Sequence, residues 1–175
     1  MTGKGERTPF QRLFDAHCDE VHGFLVRFLK DPTLAEDALQ ETFLSVHAKQ
    51  GERDTERSAR AWIFRIAHNA AIDLMRRRQK QERLADAEAH SASEPQEDTV
   101  AAEVERRERV AHAREALSVL SDEDRALLLL RHGQGMKLAE LADCFGCTER
   151  TVRNRLRRAA TELAQAVLTR EGRRA

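Results

Sequence analysis

At 175 residues the chain has room for one domain or two small ones. Its 41% hydrophobic and 34% charged residues, three prolines and lack of tyrosine suit a helical bundle and argue against a sheet protein. Thirty basic residues cancel thirty acidic ones, no apolar run approaches the roughly 20 residues that span a bilayer, and "MTGKGERTPF" lacks the apolar core of a signal peptide. Membrane insertion is therefore excluded and a cytoplasmic protein expected.

Phe10, Leu13, Phe14, Cys18, Val21, Leu25, Phe28 and Leu29 recur with a helical period, and this first helix stops before "KDPT". Asp31 then caps a second helix whose first position is Pro32, where a missing N–H goes unnoticed. In "LAEDALQETFLSVH", Ala35, Ala38, Leu39, Thr42, Phe43 and Val46 make one stripe, while Asp37, Gln40, Glu41, Leu44 and His47 make another. The second mixes carboxylates with a leucine. It fits the basic surface of a partner protein, and from pattern alone a plain solvated face equally well.

Beyond the polar loop "KQGERDTERSAR", the segment "AWIFRIAHNAAIDLMRRRQKQE" predicts a third helix with Ile63, Ile66, Ala67, Ala70, Ala71 and Leu74 on its buried face. The other side gathers Arg65, His68, Asn69, Asp73 and Arg76, with Trp62 and Ile72 among them. Apolar groups interleaved with cations and amides suit a single nucleic-acid strand, whose bases stack and whose phosphates need positive charge. Trp62 as simple core at the helix start satisfies the periodicity as well. His68 reads as a surface histidine rather than a catalyst or ligand.

Charge is segregated along the chain. Seven positives face two negatives from Arg60 to Arg83, eight negatives face two positives from Asp86 to Glu108, and eight positives face three negatives from Glu149 to the end. The acidic stretch "ADAEAHSASEPQEDTVAAE" has almost no large apolar residues and predicts a flexible linker, with a second domain starting near Val104.

In that second domain, "LSDEDRALLLLRHGQGMKLAELADCFG" predicts a helix capped by Ser121, with Asp124 three places on as in a capping box. A break at "HGQG" follows, then a short helix with Leu138, Leu141, Ala142 and Phe145 on one face, ended by Gly146 two residues before Thr148 caps the next. Two helices joined by so tight a turn make a helix-turn-helix. At about 100° per residue, the last helix puts Val152, Leu156, Ala159, Ala160, Leu163 and Val167 on one side. Arg150, Asn154, Arg157, Arg158 and Thr161 lie on the other, with Arg153 on the flank. Such a helix enters the major groove, where Arg pairs with guanine and Asn with adenine.

Cys144 and Cys147 form a lone CxxC, with Cys18, His17 and His22 far away in sequence, and read as small semi-buried hydrophobes; no metal is expected. There is no Ser-His-Asp set or glycine-rich phosphate loop, so neither an enzyme nor a cofactor is expected.

Three blocks, "LAEDALQETFLSV", "RAWIFRIAHNAAIDLMRRR" and "LSDEDRALLLLRHGQGMKLAELADCFGCTERTVRNRLRRA", together resemble the extracytoplasmic-function (ECF) class of RNA polymerase sigma factors, within the sigma-70 family, from about Phe10 to Leu168. The resemblance implies an all-α protein of two small domains. A region 2 bundle (10–84) would bind polymerase and recognise and melt the −10 element; a flexible acidic linker (85–103) would lead to a region 4 helix-turn-helix (104–170) that reads the −35 element. Residues 1–9 and 171–175 would be disordered ends. It further implies that Asp37, Gln40, Glu41 and Leu44 meet the β′ clamp helices of core polymerase and that region 4 meets the β flap. Trp62, Arg65, Asn69 and Asp73 would lie near the −10 strand, Asn69 matching the family's R-I-A-x-N pattern, with Arg76, Arg77 and Arg78 on upstream phosphates. Arg153, Asn154, Arg157 and Arg158 would read the −35 element, with Arg150 and Arg155 on phosphates. An anti-sigma factor is an expected partner, and the nucleoid the expected place of action. His47 stands where the family commonly has Trp or Tyr, and Glu149, Arg150 and Asn154 stand where Val-Gly and Ser are frequent. The rival reading is a helix-turn-helix activator that binds duplex DNA without replacing a sigma factor.

Overall fold

Among the described residues, short polar side chains set the start of five of the six helices; α5 (Leu138–Phe145) starts instead at Lys137, whose N–H donates to Glu140. Helix α1 (Pro9–Leu29) begins at a full capping box: Thr8 Oγ1 accepts from the Gln11 N–H at 3.1 Å and the Gln11 side chain accepts from the Thr8 N–H at 2.8 Å. Helix α2 (Pro32–Lys49) begins where Asp31 Oδ1 accepts from the Leu34 N–H at 3.1 Å. Helix α3 (Ala59–Asp86) follows Ser58, whose hydroxyl accepts from the Ala61 N–H at 3.3 Å.

The computed structural model describes residues 7–52, 58–86 and 117–171. Most of the expected acidic linker and the expected start of the second domain, residues 87–116, lie outside the described residues, as do the ends 1–6 and 172–175.

After them, helix α4 (Asp122–Leu128) runs on into a π-helical turn over Leu129–Gly133. Gly135 at φ 65° turns the chain into helix α5 (Leu138–Phe145). Gly146 ends α5 at φ 61°, a conformation that glycine adopts without Cβ strain, and Thr148 Oγ1 accepts from the Thr151 N–H at 3.2 Å to start helix α6 (Glu149–Glu171). Helices α5 and α6 are the helix-turn-helix, and the described residues contain no strand.

The core of the first three helices is aromatic on one side and small on the other. Phe24 stacks on Phe28 at 5.5 Å and meets Phe64 edge-on at 5.7 Å. Ala35, Ala38, Ala67 and Ala71, all fully buried, let α2 and α3 approach closely. The same apolar cluster continues without a break into the C-terminal half through Ala126, Leu127, Leu130, Met136, Leu141, Cys144 and Val152. A smaller cluster of Leu120, Leu128 and Ala159 ties α4 to α6.

Where the halves meet, charged and polar groups finish the seam. The Arg125 guanidinium lies 4.7 Å from the Phe28 ring centroid and is held by Asp122 at 2.8 Å. Arg60 donates to Glu20 Oε2 at 2.9 Å and to the Gln134 carbonyl at 2.5 Å, which fastens α3 to both α1 and the turn before α5.

His68 departs from the expectation of a surface residue. Its side chain is 9% exposed and lies between Phe28 at 5.7 Å and Phe145 at 5.4 Å. The period of α3 puts it on the polar side; the docked α5 buries that side. A second departure concerns Asp124. Its backbone N–H does donate to Ser121 Oγ at 3.2 Å, but its carboxylate turns to arginines of α6 instead of completing a capping box.

Two outcomes are expected. Phe64→Ala, which removes a fully buried ring that meets Phe24 edge-on, lowers unfolding free energy by about 3–5 kcal/mol in urea titrations. For His68, burial drives the pKa below the ordinary 6.5, outweighing Glu123, Asn69 and Asp122, which pull it up. The unfolded chain thus takes the proton first. Stability is fully present above pH 6.5 and is lost as pH falls through the folded value. His17, also lowered chiefly by burial, acts in the same direction, so His68→Gln should flatten part of the acid slope of the urea midpoint below pH 6.5. An unchanged slope would place the acid sensitivity elsewhere.

Candidate nucleic-acid and partner interfaces

The first three helices present two distinct faces. On α2, Asp37, Gln40 and Leu44 point outward, and Leu44 is 72% exposed, which leaves a large apolar side chain framed by acid and amide. Glu41, in the same stripe, is half-buried and accepts from Arg77 at 2.9 Å. His47 keeps an aromatic contact: its ring meets Phe10 edge-on at 4.9 Å.

On α3, Trp62 is half-buried and packs against the core, whereas Arg65 is exposed. Asn69, Asp73 and Arg76 line a cleft of about 680 Å³ together with His68, Ile72 and Gln79. The opposite wall is Ser121, Asp122 and Glu123, at the start of α4. The structure thus brings Asn69 and Asp73, two of the four residues expected near the −10 strand, together with Arg76, and keeps Trp62 and Arg65 apart from the cleft.

The arginine run is braced by carboxylates. Arg76 lies 3.8 Å from Asp73, Arg77 bonds Glu41, and Arg78 bonds both Asp31 and, at 2.9 Å, Glu82. The Leu34 N–H and then Arg78 hold the Asp31 carboxyl below its usual range. All three guanidiniums are more than half exposed, and exposed pairs of this kind contribute roughly 0–1 kcal/mol. Exchanging a carboxylate for a phosphate there costs little.

Helix α6 buries Val152 and Ala159 and exposes Arg150, Arg153, Asn154, Arg157 and Arg158, the last of which also has an internal partner. The six polar residues expected to touch DNA therefore divide in two. Arg155 is turned inward: its Nε donates to Asp124 Oδ1 at 2.8 Å, its Nη2 to Glu123 at 2.8 Å, and its guanidinium sits 5.9 Å from the Phe145 ring. Arg158 donates to Asp124 Oδ2 at 2.7 Å. Burial pushes the Asp124 carboxyl up, but the hydrogen bonds from Arg158 and Arg155 outweigh it and hold the group below the carboxylate range.

Sequence reasoning overlooked Arg60 and Arg125 and gave Asp124 only a capping role. Each acts on a residue more than 25 positions away, and no local period signals such a partner.

Cys144 is buried, which pushes its thiol up to about 12 and keeps it protonated at neutral pH; Cys147 is half-buried. Among the described residues no group of three His, Cys, Asp or Glu side chains is placed to hold a metal ion, and no helix is long and apolar enough to cross a membrane.

Residues 13–81, spanning α1 to most of α3, match the family model "Sigma-70 region 2", and residues 113–163 match "Sigma-70, region 4". The chain is 31% identical over 159 residues to the ECF RNA polymerase sigma factor SigK of Mycobacterium ulcerans, covering 88% of this chain and 83% of that protein. It is 32% identical over 163 residues to the ECF RNA polymerase sigma factor SigM of Mycobacterium tuberculosis, covering 92% and 78%. The fold is similar to that of the sigma factor RpoE of Bartonella quintana, solved with the anti-sigma factor NepR, with a TM-score of 0.68 at 22% identity over 90% of this chain and 96% of that one. With region 2 and region 4 in order and relatives matched over most of their length, the chain belongs to the ECF RNA polymerase sigma factors of the sigma-70 family.

Proposed function

We propose that this protein binds core RNA polymerase and directs it to promoters by reading a −35 element with α6 and capturing the −10 strand with α3. The observation that carries the reading is the pairing, on one chain, of an outward cationic recognition helix with an α3 cleft where an amide, a carboxylate and an arginine converge beside apolar groups. The family matches over both halves support it and weigh against the stand-alone activator, which has no use for residues 13–81.

In this reading the α2 stripe of Asp37, Gln40, Glu41 and Leu44 docks on the β′ clamp helices. Leu44 supplies the apolar contact and the carboxylates complement a basic partner. Asn69 and Asp73 hydrogen-bond an extruded base, Trp62 and Arg65 border the strand, and Arg76, Arg77 and Arg78 trade their carboxylates for phosphates upstream. Arg150, Arg153, Asn154 and Arg157 face the −35 groove. Region 4 also meets the β flap. The protein forms and breaks no bonds itself and works in the cytoplasm at the nucleoid. An anti-sigma factor restrains it, a reading supported by the likeness to a sigma factor solved with such a partner.

Run-off transcription with bacterial core polymerase on a genomic promoter library tests this. Wild type should give discrete start sites. Asp37→Arg/Gln40→Ala and, separately, Arg153→Ala/Arg157→Ala should each reduce them at least about tenfold, the loss expected for two contacts of 1–3 kcal/mol. Absence of any promoter response, alongside tight duplex binding by the protein alone, would hand the case to the activator.

A further inference from the structure

Asp124 is 2% exposed and both of its carboxylate oxygens are taken by the recognition helix, Oδ1 by Arg155 and Oδ2 by Arg158. The two guanidiniums are not equivalent. Arg155 has a second anchor in Glu123 at 2.8 Å and a ring beneath it in Phe145, and its side chain is only 21% exposed. Arg158 has a 61% exposed side chain, emerges beside Asn154 and Arg157 in a shallow groove of α6, and has its second carboxylate in Glu162, one turn on at 3.6 Å. Without Asp124, then, Arg155 would stay where it is and Arg158 would be released toward the DNA-facing groove.

We propose that Asp124 is a specificity-determining residue that clamps Arg158 against α4, withdrawing it from base reading and leaving the −35 groove to Arg150, Arg153, Asn154 and Arg157. The inference rests on the reading of α6 as the −35 reader. It differs from the family expectation, which counts Arg158 among the readers. The physical basis is competition for one guanidinium. A carboxylate in a site almost closed to water, supplied with a short charge-assisted bond, outcompetes a guanine edge that Arg158 must reach through solvent. Exchanging Asp124 for Asn retains the shape but replaces one acceptor by a donor. A single remaining oxygen serves one guanidinium, and the doubly anchored Arg155 keeps it.

The test uses holoenzyme reconstituted from core polymerase and the full chain, selecting from a promoter library randomised across the −35 element. Wild type, Arg158→Ala, Asp124→Asn and the double variant form a cycle, with thermal melting of each protein alongside. Arg158→Ala alone should leave the selected −35 sequence unchanged to within about twofold. Asp124→Asn should change the preference at one or two base pairs by at least about fivefold, or steepen the logarithmic salt dependence by about 0.9 if the freed cation lands on a phosphate. The double variant should revert to the wild-type preference.

An altered preference from Arg158→Ala alone means that Arg158 reads DNA in the wild type, and overturns the clamp. So does a normally folded Asp124→Asn that selects and salts like wild type. Should Asp124→Asn fail to fold, the Arg158→Ala result decides by itself. Arg157→Ala separates the two levels: if it too leaves selection untouched, α6 is not the reader, and the premise fails rather than the clamp.

Discussion

Everything positioned for function hangs on one continuous apolar seam. The groove between α1 and α3 is filled from one side by α2 and from the other by Met136, Leu141, Cys144 and Phe145 of the C-terminal half. A seam of this kind needs its polar edges closed, and arginine closes them. The guanidinium of Arg125 lies over the Phe28 ring, and Arg60 reaches across to the Gln134 carbonyl while also holding Glu20, where a lysine would not offer the same fork of donors. The cleft beside Asn69 exists because α4 is held at that distance, with Ser121, Asp122 and Glu123 as its far wall.

Local chemistry was legible in the sequence wherever the cause is local. Asp31, Ser121 and Thr148 cap the helices that their positions announce, because a cap needs only a side chain and an N–H two or three residues on. The π-helical turn over Leu129–Gly133 was not legible beyond a break, since the same apolar run fits an α-helical or a π-helical ladder. His68 was misjudged for a different reason. Periodicity reports which face of a helix is apolar, whereas burial by an element seventy residues downstream covers the polar face too. Asp124 shows the same limit at a smaller scale. The capping-box spacing is present, yet two guanidiniums offer its carboxylate stronger bonds than the single N–H at the helix start.

The expected interface residues divide along this line. Those that need only exposure, namely Asp37, Gln40, Leu44, Asn69, Arg150, Arg153, Asn154 and Arg157, are exposed on the faces where helical spacing sets them. Those that carry a charge able to find an internal partner have found one: Glu41 with Arg77, Arg78 with Asp31, Arg155 with Glu123 and Asp124. With 30 charges of each sign over 175 residues, opposite partners for such pairing are plentiful. A charge counted from sequence is therefore an upper bound on the charge offered to a ligand.

The bond from Arg60 to the Gln134 carbonyl and the contact of His68 with Phe145 join residues more than seventy positions apart. By contrast, α1 with α2, and α5 with α6, are joined by short connections. Loop-closure entropy therefore orders assembly, with each half able to form its own helical pairs quickly and the seam between them closing last. Read in the opposite direction, the same ordering makes that seam the first cooperative unit to open, ahead of either half. Amide hydrogens along the contact side of α5 should then exchange at a lower opening energy than those of Phe24 and Phe64.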